Sequence, residues 1–188
     1  MRLVAFRKRL KIIQTRKECN MNTKKLTTLS LLTALSLILF IIESAIPPLI
    51  PVPGIKLGLA NIVTLFILSQ GSFRDAAMVL FVRIVLSSVF TGQAVYFLYS
   101  FAGGLCCLLA MSAINCFLQK RFLYLTSIIG AIFHNIGQIA AACLIVESFT
   151  MTAYLPVLLL SGIVTGFFTG LCTHFLNAHF HVLTIANK

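Results

Sequence analysis

The stretch Leu26–Ile46, LTTLSLLTALSLILFIIESAI, carries one charged residue, Glu43, in 21 positions. At 1.5 Å rise per residue, a helix of that length covers about 31 Å, the thickness of a bilayer's hydrocarbon core. It exceeds the roughly 7 to 15 residues of a signal-peptide core, and no small-residue cleavage site follows it, so it reads as a retained membrane span. Pro47-Pro48-Leu49-Ile50-Pro51-Val52-Pro53-Gly54 then stops the helix, because four prolines remove amide donors and Gly54 punctuates the turn.

The same test, applied outward, finds further spans. Lys56–Gln70 resumes as a second, shorter helix, ended by Gly71-Ser72. Ala76–Phe90 is a third, and Thr91-Gly92-Gln93 separates it from a fourth over Ala94–Leu118. A fifth runs from Phe122 to Val146, and Glu147-Ser148-Phe149-Thr150 marks its exit. The sixth runs from Tyr154 to Leu176, with Pro156 in its first turn, where a missing amide costs nothing. The fold class is therefore an all-α integral membrane protein, a bundle of about six transmembrane helices. Five spans plus a re-entrant second segment fit the same pattern.

Composition agrees with this reading. Hydrophobic residues are 59% of the 188 and charged residues 10%, against roughly a quarter charged in a soluble domain. Nine of the 15 Lys and Arg fall between Arg2 and Lys25, so the net charge of +11 belongs mostly to the amino-terminal arm. That arm faces anionic lipid more readily than nucleic acid, since the basic residues form no stripe on a folded domain and Trp is absent. Lys24, Lys25, Arg74, Lys120, Arg121 and Lys188 fall on one side of the bundle and Lys56, Glu43 and Glu147 on the other. The positive-inside rule then predicts both termini in the cytoplasm, and a multi-pass protein of the cytoplasmic membrane.

The expected division is a basic cytoplasmic arm over 1–25, one membrane domain over 26–178, and a short cytoplasmic tail over 179–188. Met21 opens MNTKK directly before the first span. Arg16-Lys17-Glu18 can be encoded AGA-AAG-GAA, which holds a purine-rich ribosome-binding sequence, so residues 1–20 are expected to reflect a start set too far upstream. A genuine basic amphipathic arm is the alternative. The six cysteines include no C-x-x-C pair and are expected to be small packing residues.

Polar residues inside spans carry the functional signal. Arg at a span centre costs roughly 2.5 to 3.5 kcal/mol on insertion scales, so Arg83 is a candidate by default. His134, Asn135 and Gln138 occupy the middle of the fifth span at i, i+1 and i+4, which directs them to a common side. Asn61, Glu43 and Lys56 join them if the helices surround one cavity, with Tyr96, Tyr99 and Ser100 as walls and hydroxyl donors. Such a cavity, open to the outside, suits an anionic or strongly polar small molecule. The competing reading makes Arg83 a partner of Glu43 and the His134 group a set of interhelical hydrogen bonds. Gly162, Gly166 and Gly170 give the sixth helix a smooth face for packing, and Ser30 and Ala34 form a weaker small-residue pair, for packing or partner docking.

No catalytic residue, metal ligand or cofactor is assigned. Asp75 is the only aspartate, so the Asp-rich magnesium-diphosphate motif of a prenyl synthase is missing, and there is no Walker A loop. His134, His174, His179 and His181 do not combine with carboxylates at metal-ligand spacing.

Ile55-Lys56-Leu57-Gly58-Leu59-Ala60-Asn61, the Arg83 helix, Gly103-Gly104, Gly130-Ala131-Ile132-Phe133-His134-Asn135-Ile136-Gly137-Gln138 and Leu155-Pro156-Val157-Leu158 resemble the family called Gx transporters. The same family is labelled heptaprenyl diphosphate synthase component I, and the resemblance covers about Met21 to His179. It is similar in turn to the S components of energy-coupling factor vitamin transporters. That similarity implies a six-helix bundle with an outward-facing ligand site, a transmembrane coupling protein and two ATPase subunits as partners, and Ser30 and Ala34 on the docking face. Serine at the first of these positions departs from the Ala-rich pattern. The expected function is substrate recognition for an importer. The alternatives are a non-catalytic accessory subunit of heptaprenyl diphosphate or quinone synthesis, or a component of a membrane redox system.

Overall fold

The computed structural model describes residues 23–45, 58–70, 73–92, 94–118 and 122–180, without the side chains of residues 91, 94, 96 and 116–118. Within them run six α-helices: α1 (Thr23–Ala45), α2 (Leu59–Gln70), α3 (Phe73–Thr91), α4 (Ala94–Leu118), α5 (Leu123–Val146) and α6 (Leu155–His179). A 3-10 helix over Phe149–Tyr154 leads into α6. Four segments are long and apolar enough to cross a bilayer: α1, Phe97–Asn115 of α4, α5, and the 3-10 helix with α6. The chain is a multi-pass membrane protein in contact with lipid. Side chains such as Leu31, Val89, Leu144 and Phe168 stand at the bundle's periphery, where water would penalise them and hydrocarbon does not.

The two remaining helices explain the interior. Helix α2 has 12 residues, about 18 Å, and so covers little more than half of a hydrocarbon core. It is buried nearly all round, from Ala60 through Ser69, and packs against α1, α3, α4 and α6. Its last residue, Gln70, donates to Asn177 Oδ1 at 2.8 Å and to the carbonyl of Phe180, at the far end of α6. Counting back from that end, the first turn of α2 lies at mid-depth in the bundle. The expected second span is corrected here: it is a half-length helix that begins at Leu59, after Gly58, rather than at Lys56. Helix α3 has 19 residues but carries Arg74, Asp75 and Arg83, and begins three residues before the expected Ala76. Asp75 sits in its first turn, where the helix dipole favours a carboxylate, and pairs with Lys25 Nζ at 2.8 Å. That ion pair ties the starts of α1 and α3 together.

Helices α4, α5 and α6 form the most extensively packed part, and glycines set their spacing. A Cβ on Gly166 would stand 2.8 Å from Ile128 Cα, and one on Gly170 2.5 Å from Tyr124 Cα. The α6 glycine face therefore does pack, directly against α5, and Ser127 and Thr169 hydrogen-bond across the seam at 2.6 Å. Cys106, Cys107, Cys143 and Cys172 are free thiols, with Cys107 in the core. The arm over 1–22, the Pro-rich segment, Lys56, Lys120, Arg121 and the tail from 181 lie outside the described residues.

Candidate functional site

Gly58 has φ +76°, a left-handed conformation that side chains disfavour, and its amide donates to Glu43 Oε1 at 2.6 Å. The Gly58 carbonyl accepts from the amide of Asn61 at 2.9 Å. Ser36 Oγ adds a bond to the carbonyl of Ala60 at 3.3 Å. Helix α1 thus fixes the start of α2 through a carboxylate and a hydroxyl, and the carboxylate meets the positive end of the helix dipole. A broken helix within a membrane bundle is tolerated where its free backbone groups face protein or a cavity.

A cavity of about 30 Å³ lies beside this turn. Glu43, Asn61, Arg83, His134 and Gln138 all line it, with Ser87 and Ser100. Five of the residues expected at the polar centre are therefore brought together from α1, α2, α3 and α5. Arg83 is 6% exposed. Its guanidinium has five N–H donors, and its hydrogen bond among the described residues is a long one, 3.5 Å to Asn61 Oδ1. Gln138 is 8% exposed, and its Oε1 has no hydrogen-bond partner among the described residues. Buried polar capacity of this kind costs about 1 to 3 kcal/mol per unsatisfied group unless something fills it. Gly103 allows the approach: a Cβ there would lie 2.7 Å from Gln138 Cγ and 2.9 Å from the His134 carbonyl.

Asn135 does not line this first cavity. Its Nδ2 donates to the carbonyl of Leu158 at 2.6 Å, and a Cβ on Gly162 would stand 2.7 Å from that nitrogen. It lines a second, smaller recess of about 10 Å³, which shares Gly58, Asn61 and His134 with the first. Tyr99 faces a third cavity, also lined by Gln138. Lys56 and the side chain of Tyr96 lie outside the described residues. Ser30 and Ala34 are exposed and line a separate groove between α1 and α3. Ser87 was not among the expected residues, although it sits one helical turn beyond Arg83 and its position is readable from that spacing. Gly58 belonged to a quoted motif, but only its backbone geometry assigns it a task.

Among the described residues, no three His, Cys, Asp or Glu side chains are grouped to hold a metal ion. The arrangement can instead accept hydrogen-bond acceptors and negative charge at Arg83, and orient them with the carboxamide of Gln138. A family model described as heptaprenyl diphosphate synthase component I matches residues 32–176. No curated protein and no solved structure matches the chain.

Proposed function

Since the chain belongs to the heptaprenyl diphosphate synthase component I family, and since its buried polar centre sets a guanidinium beside a single carboxylate that is bonded to the Gly58 amide, we propose that it is the substrate-recognition subunit of a membrane importer for a small polar or anionic compound. The observation that carries this reading is Arg83, buried in the bundle with donors to spare, facing the first turn of a half-length helix. A buried guanidinium is costly unless an acceptor meets it. Discontinuous helices that end at a mid-bundle site are a recurring device for holding polar solutes in transporters.

The mechanism is binding in the cavity from the outer side, followed by reorientation powered by ATP hydrolysis on partner subunits. The chain has no Walker A loop to supply that energy itself. A second reading, favoured by the family's description, is a membrane accessory subunit of heptaprenyl diphosphate synthesis. That role would be non-catalytic, because prenyl elongation needs clustered carboxylates. The chain has four acids, its one aspartate is paired with Lys25, and Glu43 caps Gly58.

Co-purification in mild detergent separates the two. Recovery of a transmembrane coupling protein with ATPase subunits supports the importer. Recovery of a soluble prenyl synthase in their place refutes it in favour of the accessory role.

A further inference from the structure

The Arg83 cavity has an apolar neighbour. Between α4, α5, the 3-10 helix and the start of α6 lies a chamber of about 70 Å³, walled by Tyr99, Ile139, Ala142, Met151, Tyr154 and Leu158. Gln138 lines both spaces. Its carboxamide stands at the boundary with hydrogen-bonding capacity left over, whichever of its oxygen and nitrogen is turned to the cavity. On one side of it are a guanidinium, a histidine, an asparagine, two serines and the Glu43 carboxylate, which is bonded to the Gly58 amide. On the other are hydrocarbon walls and two tyrosine rings. Val146, at the end of α5, also lines the chamber and is half exposed, so it stands at the rim.

We propose that the ligand is a small anion with a short apolar tail, its carboxylate or phosphate head against Arg83 and its tail in the chamber past Gln138. This rests on the reading of the Arg83 cavity as a ligand site. The volumes set the size. Taking about 10 to 15 Å³ as the room one water-sized group needs, the polar cavity admits roughly two or three non-hydrogen atoms and the chamber roughly five to seven. A purely polar solute would leave the chamber empty, and a purely apolar one would leave Arg83 and Gln138 unmet. Only a molecule with both parts satisfies the two spaces at once.

The test uses the full chain in detergent, titrated calorimetrically with acetate, hexanoate and hexanol. Each methylene buried in an apolar site is worth roughly fourfold in affinity, so hexanoate, with four more methylenes than acetate, should bind on the order of a hundredfold to a few hundredfold more tightly. Hexanol, lacking the charge, should bind more weakly than hexanoate. Ala142→Leu fills the chamber without reaching Arg83, and should erase the preference for hexanoate while leaving acetate binding unchanged. Val146→Phe, at the exposed rim, should do the same if the Ala142 variant fails to fold. Equal affinities for acetate and hexanoate would overturn the tail site and leave the anion site standing. A hexanoate preference that survives both variants, or hexanol binding as tightly as hexanoate, would also overturn the proposal. Binding of neither acid would remove the anion site itself, and the proposal with it.

Discussion

Substituting Gly166 probes the seam on which the whole α5–α6 unit depends. A Cβ added there would lie 2.8 Å from Ile128 Cα, 3.1 Å from Ala131 Cβ and 3.1 Å from the Ser127 carbonyl. Carbon atoms rest at about 3.5 to 4.0 Å, so α5 and α6 must part by about 1 Å to accept even Ala. The nearest atom is backbone and cannot swing aside. Parting the helices also stretches the 2.6 Å bond between Ser127 and Thr169 and the 2.6 Å bond from Asn135 to Leu158. Overpacking costs about 1 to 3 kcal/mol, and each weakened interhelical bond adds about 0.6 kcal/mol in a membrane protein. Gly166→Ala should therefore lose about 2 to 4 kcal/mol. Gly166→Leu, with three further carbons and no space for them, should fail to accumulate as folded protein. The assay is yield by size exclusion and thermal unfolding in mild detergent, with Val164→Leu, at a 57% exposed position on the same helix, as control. Wild-type yield and melting midpoint for Gly166→Leu would refute the packing argument.

The charge distribution makes a topological prediction: a reporter fused after Lys188 should be active only in the cytoplasm, and a cysteine placed at Val52 should react with an impermeant reagent from outside. Labelling at Val52 from the cytoplasmic side alone would reverse the orientation. Lys25→Ala should destabilise the bundle by about 1 to 3 kcal/mol, because it removes the 2.8 Å ion pair to Asp75, which is 5% exposed. Combining it with Asp75→Asn should recover most of that loss, and a double variant no more stable than Lys25→Ala would show that the pair does not act as a unit.

Hydropathy made the long spans legible because lipid demands an apolar surface whatever the helix does inside. Leu31 and Leu144 are apolar for the bilayer and Leu65 and Ile67 for the core, and sequence alone does not separate them. The start of α2 was harder. Lys56-Leu57-Gly58 continues the apolar pattern well enough to read as helix, and it is the left-handed backbone at Gly58 that sets the boundary at Leu59. Helix α3 begins earlier than its apolar run because Arg74 and Asp75 belong to its first turn, where Asp75 is stabilised by the dipole and Lys25. Glu147-Ser148-Phe149-Thr150 read as an exit and Tyr154 as the start of the last span, since the 3-10 helix over Phe149–Tyr154 leaves no periodic signature in six residues.

The polar centre was legible as a list of costly residues, and the bundle topology brought five of them into one cavity. Asn135 shows where that reasoning is too coarse. Adjacent positions on a helix differ by about 100°, so a residue at i+1 need not share the face of its neighbours at i and i+4. Here it bonds α6 and shares only the smaller recess with His134. Of the chamber beyond Gln138 the sequence offered only Tyr99 as a wall, since its other walls come from α5, the 3-10 helix and α6 and are ordinary membrane-protein residues taken singly.

The central claim is that Arg83 meets a ligand and does not merely balance Glu43. Thermal stability, measured alongside native mass spectrometry for a retained small molecule and uptake in cells, decides this for Arg83→Gln, Glu43→Gln and the double variant. A charge-assisted hydrogen bond contributes about 1.5 to 3 kcal/mol, so Arg83→Gln should fold normally and lose about tenfold to a hundredfold in ligand retention and uptake. Destabilisation of both single variants, with stability and uptake restored in the double, would contradict the account.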